Sequence, residues 1–177
     1  MSQQALPARY HPVHVILHWL IAFMVIGAIT IGMLYLDSPN TPEKIPYLQL
    51  HRAWGFVLFA LMVVRLITRF TLKRPAPATT GNAFLDGVAK VTHFLLYFLV
   101  LGMLLSGLGI SAQANLTAIF QGQAELPADF RIYLPRIGHG LTYSILFIVI
   151  LLHIGAALYH QFILKDNLLA RMWFGKR

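Results

Sequence analysis

The chain has 177 residues, of which 58% are hydrophobic and 11% are charged, and it carries a formal net charge of +8 without any cysteine. A soluble globular domain is about 45–50% apolar and about 25% charged, so this composition excludes a water-soluble globule and predicts an integral membrane protein. The lack of cysteine excludes disulfides, thiolate metal sites and iron–sulfur clusters. The basic residues lie mostly at the ends of apolar runs, which indicates membrane topology and not nucleic-acid binding.

Four apolar runs have the roughly 20 residues that a helix needs to cross the hydrocarbon core of a bilayer. They extend from about residue 12 to 36, 48 to 70, 84 to 110 and 138 to 164. The N-terminal segment lacks the pattern of a cleaved leader, so we expect the first run to remain as a span. The sequence therefore predicts an all-α membrane protein in which residues 1–177 form one domain, a four-helix transmembrane bundle.

The connections differ in character. The first and second are rich in proline, and the third, residues 111–137, has the length for a short amphipathic helix. The tail from residue 165 onward mixes basic and aromatic residues, which is typical of a segment lying in the membrane interface.

The distribution of Lys and Arg predicts the orientation, because cytoplasmic connections carry an excess of these residues. Ten lie at the end of the bundle that holds both termini: Arg9, Arg65, Arg69, Lys73, Arg74, Lys90, Lys165, Arg171, Lys176 and Arg177. Four lie at the opposite end: Lys44, Arg52, Arg131 and Arg136. Both termini are therefore predicted to be cytoplasmic.

Histidines are the unusual feature of the apolar runs, because ionisable residues inside a membrane are rare and indicate a functional site. His139 and His153 are 14 residues apart on the fourth helix. This spacing is about 21 Å along a helix and close to four whole turns, so both rings project from nearly the same face. One helix thus offers a metal ligand near each membrane surface.

Each of these rings has a potential partner at its own depth. His51 lies near the outer start of the second helix and can face His139, and His18 lies near the inner start of the first helix and can face His153. Two imidazoles per site, surrounded by apolar residues and glycines such as Gly55, suit the axial positions of a haem iron. Capping of helix ends is the alternative explanation for an isolated histidine, but it does not explain four at paired depths.

The other histidines have no assigned role. His14 precedes His18 by one turn and competes with it as a ligand, while His93 could reach a haem propionate or a quinone carbonyl. His160 lies near the inner end of the fourth helix, and His11 near the inner surface. Basic side chains beside the rings are candidates for pairing with haem propionates: Arg52 at the outer site, and Arg65 and Arg69 at the inner one.

Several segments together resemble the bacterial cytochrome b561 family, which is related to the b-type cytochrome subunits of nickel–iron hydrogenases. They are "LHWL" around His18, "LHRAWGFVLFALMVVRLITR" from Leu50, "GHGLTYSILFIVILLHIGAALYHQF" and "KDNLLARM". The resemblance implies a bundle with two b-type haems in the bacterial inner membrane, with His18 and His153 as axial ligands of the inner haem and His51 and His139 of the outer one.

The resemblance also implies electron transfer between the haems and the quinone pool, and most specifically a superoxide oxidase that reduces ubiquinone. The outer face carries no net excess of positive charge, since Asp37, Glu43, Glu125 and Asp129 balance its basic residues. A local funnel of Arg52, Arg131 and Arg136 would still attract an anion.

Two alternatives remain. An electron-relay subunit would dock a dehydrogenase or a soluble redox protein, for which the third connection offers a surface. A histidine-rich metal transporter would carry carboxylates within its spans, whereas Asp86, near the inner end of the third helix, is the only acid inside the assigned limits.

Overall fold

The computed structural model describes residues 8–36 and 39–174, and within these ranges it is helical, with four helices long and apolar enough to cross a membrane. The spanning helices are α1 (Pro12–Ile31), α2 (Ile45–Thr71), α3 (Ala83–Gln113) and α5 (Leu134–Tyr159). The short helices are α4 (Leu116–Phe120) in the third connection and α6 (Leu168–Arg171) in the tail. The predicted all-α, four-helix fold is confirmed. Asp37, Lys176 and Arg177, which entered the charge counts, lie outside the described residues.

Two of the spanning helices, α2 and α5, begin before the apolar runs that predicted them. α5 begins at Leu134, one turn before the predicted start, with Pro135 in its first turn, and α2 begins at Ile45 with Pro46 in the same position. Proline suits the first helical turn because its missing N–H would have no partner there. The backbone thus starts each helix before the sequence becomes continuously apolar.

Polar side chains begin two of the spans. His11 caps α1, where its Nδ1 accepts a hydrogen bond of 3.2 Å from the backbone N–H of Val13. Asn82 caps α3, where its side-chain oxygen accepts from the N–H groups of Phe84 and Leu85. Such caps satisfy backbone donors that the first turn of a helix leaves unpaired, and this accounts for His11.

Two helix pairs form the bundle: α1 packs on α2, and α3 packs on α5. The indole Nε1 of Trp54 donates to the carbonyl of Met24 at 3.0 Å, and a Cβ at Gly27 would lie only 2.9 Å from the Trp54 ring. In the other pair, a Cβ at Gly109 would lie 2.9 Å from Pro135 Cγ. Small residues at both crossings let the helices approach closely, as is common in membrane bundles.

The hydrophobic core occupies the middle of the bundle. It includes Met24 of α1, Met62 of α2, Leu99 of α3 and Leu146 of α5. Apolar side chains on the outside of the spans are extensively exposed, among them Phe23 at 65%. This pattern is expected where lipid, and not water, contacts the outer surface.

The two ends of the bundle are closed differently. At the end that holds the termini, hereafter the termini end, the tail is tied to α1: the indole Nε1 of Trp19 donates to the Met172 carbonyl at 2.8 Å, and the Tyr10 amide donates to the Arg171 carbonyl at 3.1 Å. At the opposite end, hereafter the loop end, Lys44 is buried and donates to the side-chain oxygen of Asn40 at 2.8 Å.

Candidate functional site

The loop end brings together His51 of α2 and His139 of α5. Their ring centres lie 6.3 Å apart with an angle of 71° between the ring planes. Nδ1 of His51 is buried without a hydrogen-bond partner in the described part of the chain. A buried ring nitrogen of this kind is costly unless another group satisfies it.

A cavity of about 780 Å³ adjoins this pair, and both rings line it. Gly55 also lines it, and a Cβ added there would meet no described atom within 4 Å. The lining is mostly apolar, and its volume lies in the range of about 300–1,000 Å³ typical of ligand pockets. Gly55 thus leaves open space about one turn after His51 on α2.

Arginines supply the charge of this cavity. Arg52, Arg131 and Arg136 line it together with Lys44, and no acidic residue is among its described lining. Arg52 Nη1 donates to Thr117 Oγ1 at 3.0 Å, and its guanidinium lies 4.4 Å from the centre of the Phe120 ring. The third connection therefore holds Arg52 at the loop end through α4.

The termini end brings together His18 of α1 and His153 of α5, whose ring centres lie 6.1 Å apart with an angle of 79° between the planes. His93 of α3 lies beside them, with its ring centre 5.3 Å from that of His153. Nδ1 of His93 donates to the Ala89 carbonyl at 2.7 Å. This end thus holds three neighbouring imidazoles, and His93 contacts the predicted pair at its His153 ring.

Arg65 approaches the same cluster from α2. Its Nη2 lies 3.4 Å from Nδ1 of His18, and its Nη1 donates to the backbone carbonyl of His14 at 3.2 Å. Arg69, one turn further along α2, lies over the Tyr97 ring at 5.0 Å. Arg65 therefore contacts a predicted ligand directly, while Arg69 contacts an aromatic ring.

The rings of each pair contact edge to face, with centres 6.1 and 6.3 Å apart, within the ordinary range of about 4.5–7 Å for neighbouring rings. The loop end fits a haem through its cavity: the lining is mostly apolar, both imidazoles line it, and Gly55 leaves open space beside them. His51 and His139 are the lining residues whose ring nitrogens could hold a haem iron there.

The remaining histidines have other neighbours. The His14 ring is buried, packs edge-on against Tyr10 and lies 3.4 Å from the Thr68 hydroxyl. His160 is buried at the start of a π-helical turn, His160–Leu164, and its Nδ1 bonds to the carboxylate of Asp166. This hydrogen bond lowers the pKa of Asp166, which lies outside the span. Neither ring belongs to the two pairs.

Sequence reasoning missed two residues beside His139. The hydroxyl of Ser106 on α3 lies 2.9 Å from Nδ1 of His139, and a Cβ at Gly107 would lie 3.6 Å from its Cε1. A single serine in a long apolar run is too common a feature to indicate this contact. Which residues of α3 face His139 depends on how α3 is rotated relative to α5, and the sequence alone does not give that rotation.

Known proteins are similar to this chain along nearly its whole length. The sequence profile of the prokaryotic cytochrome b561 family matches residues 9–175. The chain is 27% identical to the "probable superoxide oxidase CybB" of Yersinia pestis, covering 96% of this chain and 98% of that one. It is 28% identical to "cytochrome b561 homolog 1" of Escherichia coli, covering 93% and 96%.

A further relative is "cytochrome b562" of Cereibacter sphaeroides, which is 30% identical over 92% of this chain and 94% of its own length. No solved structure matches the chain. The family profile covers nearly the whole sequence and includes all four spans. The chain therefore belongs to the prokaryotic cytochrome b561 family, whose members are bacterial membrane proteins of electron transport that bind b-type haem.

Proposed function

We propose that this protein is a two-haem cytochrome of the bacterial inner membrane that passes electrons across the bilayer to ubiquinone, with superoxide as the donor. The observation that carries this proposal is the pairing of four histidines at two depths, His51 with His139 and His18 with His153. A bound haem would supply reversible one-electron chemistry at each depth. Two such centres in one domain, residues 1–177, would span the membrane.

His51 and His139 would hold the loop-end haem, and His18 and His153 the termini-end haem. A haem held by two imidazoles would supply electron transfer and not oxygen binding. The protein's own contribution is to hold the two sites at a fixed spacing and to set their electrostatics. Arg52 lies beside His51 at the loop end and is a candidate partner for a haem propionate, as Arg65 is at the termini end.

The charge of the loop-end cavity supports an anionic donor. Arg52, Arg131 and Arg136 line it without an acidic neighbour in the described lining, although acids balance the charge of the whole outer face. A cleft lined by one sign of charge concentrates ions of the opposite sign. Superoxide is a small anion, and two molecules would give up two electrons and leave as two molecules of oxygen.

Ubiquinone is the proposed acceptor, and its reduction to the quinol consumes two electrons and two protons. The excess of Lys and Arg at the termini end supports a cytoplasmic location for both termini, because connections rich in these residues stay on the inner side. The loop end would then face outward and receive superoxide. Electrons would pass inward to the termini end, where cytoplasmic protons are available.

Substitution of single histidines tests the pairing. We expect His51→Ala and His139→Ala to remove the same component of the reduced-minus-oxidised haem spectrum, and His18→Ala and His153→Ala to remove the other. His93→Ala is the matched control, because His93 lies next to His153 but belongs to neither pair. A spectrum in which His93→Ala removes one haem and His18→Ala removes neither would contradict the proposed ligands.

Quinone reduction tests the activity separately from the cofactors. The purified haem-loaded protein should reduce a short-chain ubiquinone when superoxide is generated enzymatically, and superoxide dismutase should stop the reaction. Arg136→Gln should slow it more at low than at high ionic strength, since salt screens long-range attraction. A wild-type rate no higher than background would reject superoxide as the donor while leaving the haem sites intact.

An electron-relay subunit is the second candidate. Ile132 and Leu134, in the third connection and at the start of α5, are 72% and 76% exposed beside the cationic Arg131. Exposed apolar residues next to charge are typical of a protein-docking surface. This function predicts haems that are reduced by a protein donor and not by superoxide, with Ile132→Ser weakening the reduction.

A further inference from the structure

The hydroxyl of Ser106 links the His139 ring to the backbone of α3. The Ser106 hydroxyl donates to the Met103 carbonyl at 2.9 Å and also lies 2.9 Å from Nδ1 of His139. A hydroxyl has a single hydrogen and two acceptor lone pairs. If Nε2 of His139 holds a haem, the proton of the neutral ring lies on Nδ1. The Ser106 oxygen then accepts from Nδ1–H while its own hydrogen stays on the Met103 carbonyl.

The other proposed ligands have different surroundings at the same nitrogen. Nδ1 of His51 is buried without a partner among the residues the structure describes, and Nδ1 of His18 faces the donor Nη2 of Arg65 at 3.4 Å. His139 is thus the proposed ligand whose Nδ1 contacts a neutral hydroxyl acceptor. Metal-binding histidines commonly donate their second N–H to such an acceptor, which fixes the ring and makes it a stronger base.

We propose that Ser106 is a positioning residue for the loop-end haem: its oxygen accepts a hydrogen bond from Nδ1–H of His139 and so leaves the Nε2 lone pair of that ring free to hold the haem. The inference rests on the proposed role of His139 as a ligand. It assigns to α3, which carries none of the four proposed ligands, a direct influence on one of the two centres.

The packing of α3 on α5 maintains this contact. Gly109 allows Pro135 to approach closely, and a Cβ at Gly107 would be in ordinary contact with the His139 ring. Ser106 therefore lies on the α3 face that meets α5, next to Gly107 and about one turn before Gly109. Its hydroxyl is held by the helix itself through Met103 and does not need a further partner to stay oriented.

The hydrogen bond also affects the redox potential of the centre. An acceptor at Nδ1–H shifts electron density toward Nε2, and a more basic ligand stabilises the ferric state over the ferrous state. Removal of the Ser106 oxygen should therefore raise the midpoint potential of the loop-end haem. A purely structural role of Ser106 would predict no selective change in this potential.

The test compares Ser106→Ala with Ser106→Thr in the haem-loaded protein. Ser106→Ala should raise the midpoint potential of the loop-end haem and weaken its haem affinity by about 10–100-fold, the usual effect of losing such a partner. Ser106→Thr keeps a hydroxyl and should restore both values toward wild type. Ser144→Ala is the control on α5, because Ser144 is exposed and donates to the Gly140 carbonyl of its own helix.

The second haem serves as an internal reference for folding. If Ser106→Ala leaves the loop-end potential and haem affinity unchanged, or alters both haems equally, the proposal is wrong. Failure of the proposed function would look different, since the wild-type protein would then lack a loop-end haem or keep it in His139→Ala. A normal wild-type spectrum with an unaffected Ser106→Ala variant would overturn the inference about Ser106 alone.

Discussion

Arg65 faces a conflict once His18 acts as a metal ligand. A guanidinium group can only donate hydrogen bonds, so its 3.4 Å approach to Nδ1 of His18 requires that nitrogen to be the acceptor. If Nε2 binds iron, the proton of the ring lies on Nδ1 and the contact loses its acceptor. The guanidinium is then available to a carboxylate, with which arginine makes strong, charge-assisted hydrogen bonds.

The charge of Arg65 should also affect the termini-end centre. A nearby cation favours the reduced iron, which carries one positive charge less, so Arg65→Met is expected to lower the midpoint potential of that haem. Arg69→Met is the matched control: both guanidinium groups lie over the Tyr97 ring, and Arg65 is the one that also approaches His18. Potentiometric titration followed by haem absorbance measures both variants. An equal shift in the two would contradict a specific role for Arg65.

Among the secondary-structure elements, the α3–α5 contact determines how the loop-end site is held. Gly109 and Gly102 both lie on α3 at this contact, but their surroundings differ. A Cβ at Gly109 would lie 2.9 Å from Pro135 Cγ, whereas a Cβ at Gly102 would lie 3.7 Å from Thr142 Cγ2, an ordinary contact. The proline ring is rigid, so it has little freedom to yield.

Gly109→Ala should therefore destabilise the protein by about 1–3 kcal/mol, the usual cost of overpacking. Gly102→Ala should be neutral or stabilising by up to about 1 kcal/mol, because alanine is the better helix former. Thermal unfolding in one detergent, followed by circular dichroism at the helical band, compares the two variants. Equal melting temperatures would show that the α3–α5 distance adjusts freely at Pro135.

The sequence was sufficient to predict the spans and the pairing of rings by depth. Position along a helix follows directly from residue number, so His139 and His153 could be placed about 21 Å apart, and His51 and His18 could be matched to them. The rotation of each helix about its own axis does not follow from residue numbers. The contact of His93 with His153, the contact of Ser106 with His139 and the common cavity of Arg52, Arg131 and Arg136 therefore required the structure.

In the whole molecule, the hydrophobic core separates the two histidine pairs. Leu146 and Val149 lie between His139 and His153 on α5, and the buried residues of α1 and α2 lie at the same level. Electrons passing between the two proposed centres would have to cross this apolar layer. Electrons would have a defined direction across the bilayer only if every molecule is inserted with the same end facing outward.

Orientation is therefore the property on which the whole proposal depends, and the lack of cysteine makes it measurable. Ala76 in the second connection and Ala124 in the third are both exposed, at the termini end and the loop end respectively. In spheroplasts, a membrane-impermeant maleimide should label Ala124→Cys at once and Ala76→Cys only after the membrane is permeabilised. The reverse pattern would place the arginine-lined cavity in the cytoplasm, where it could not receive superoxide from outside.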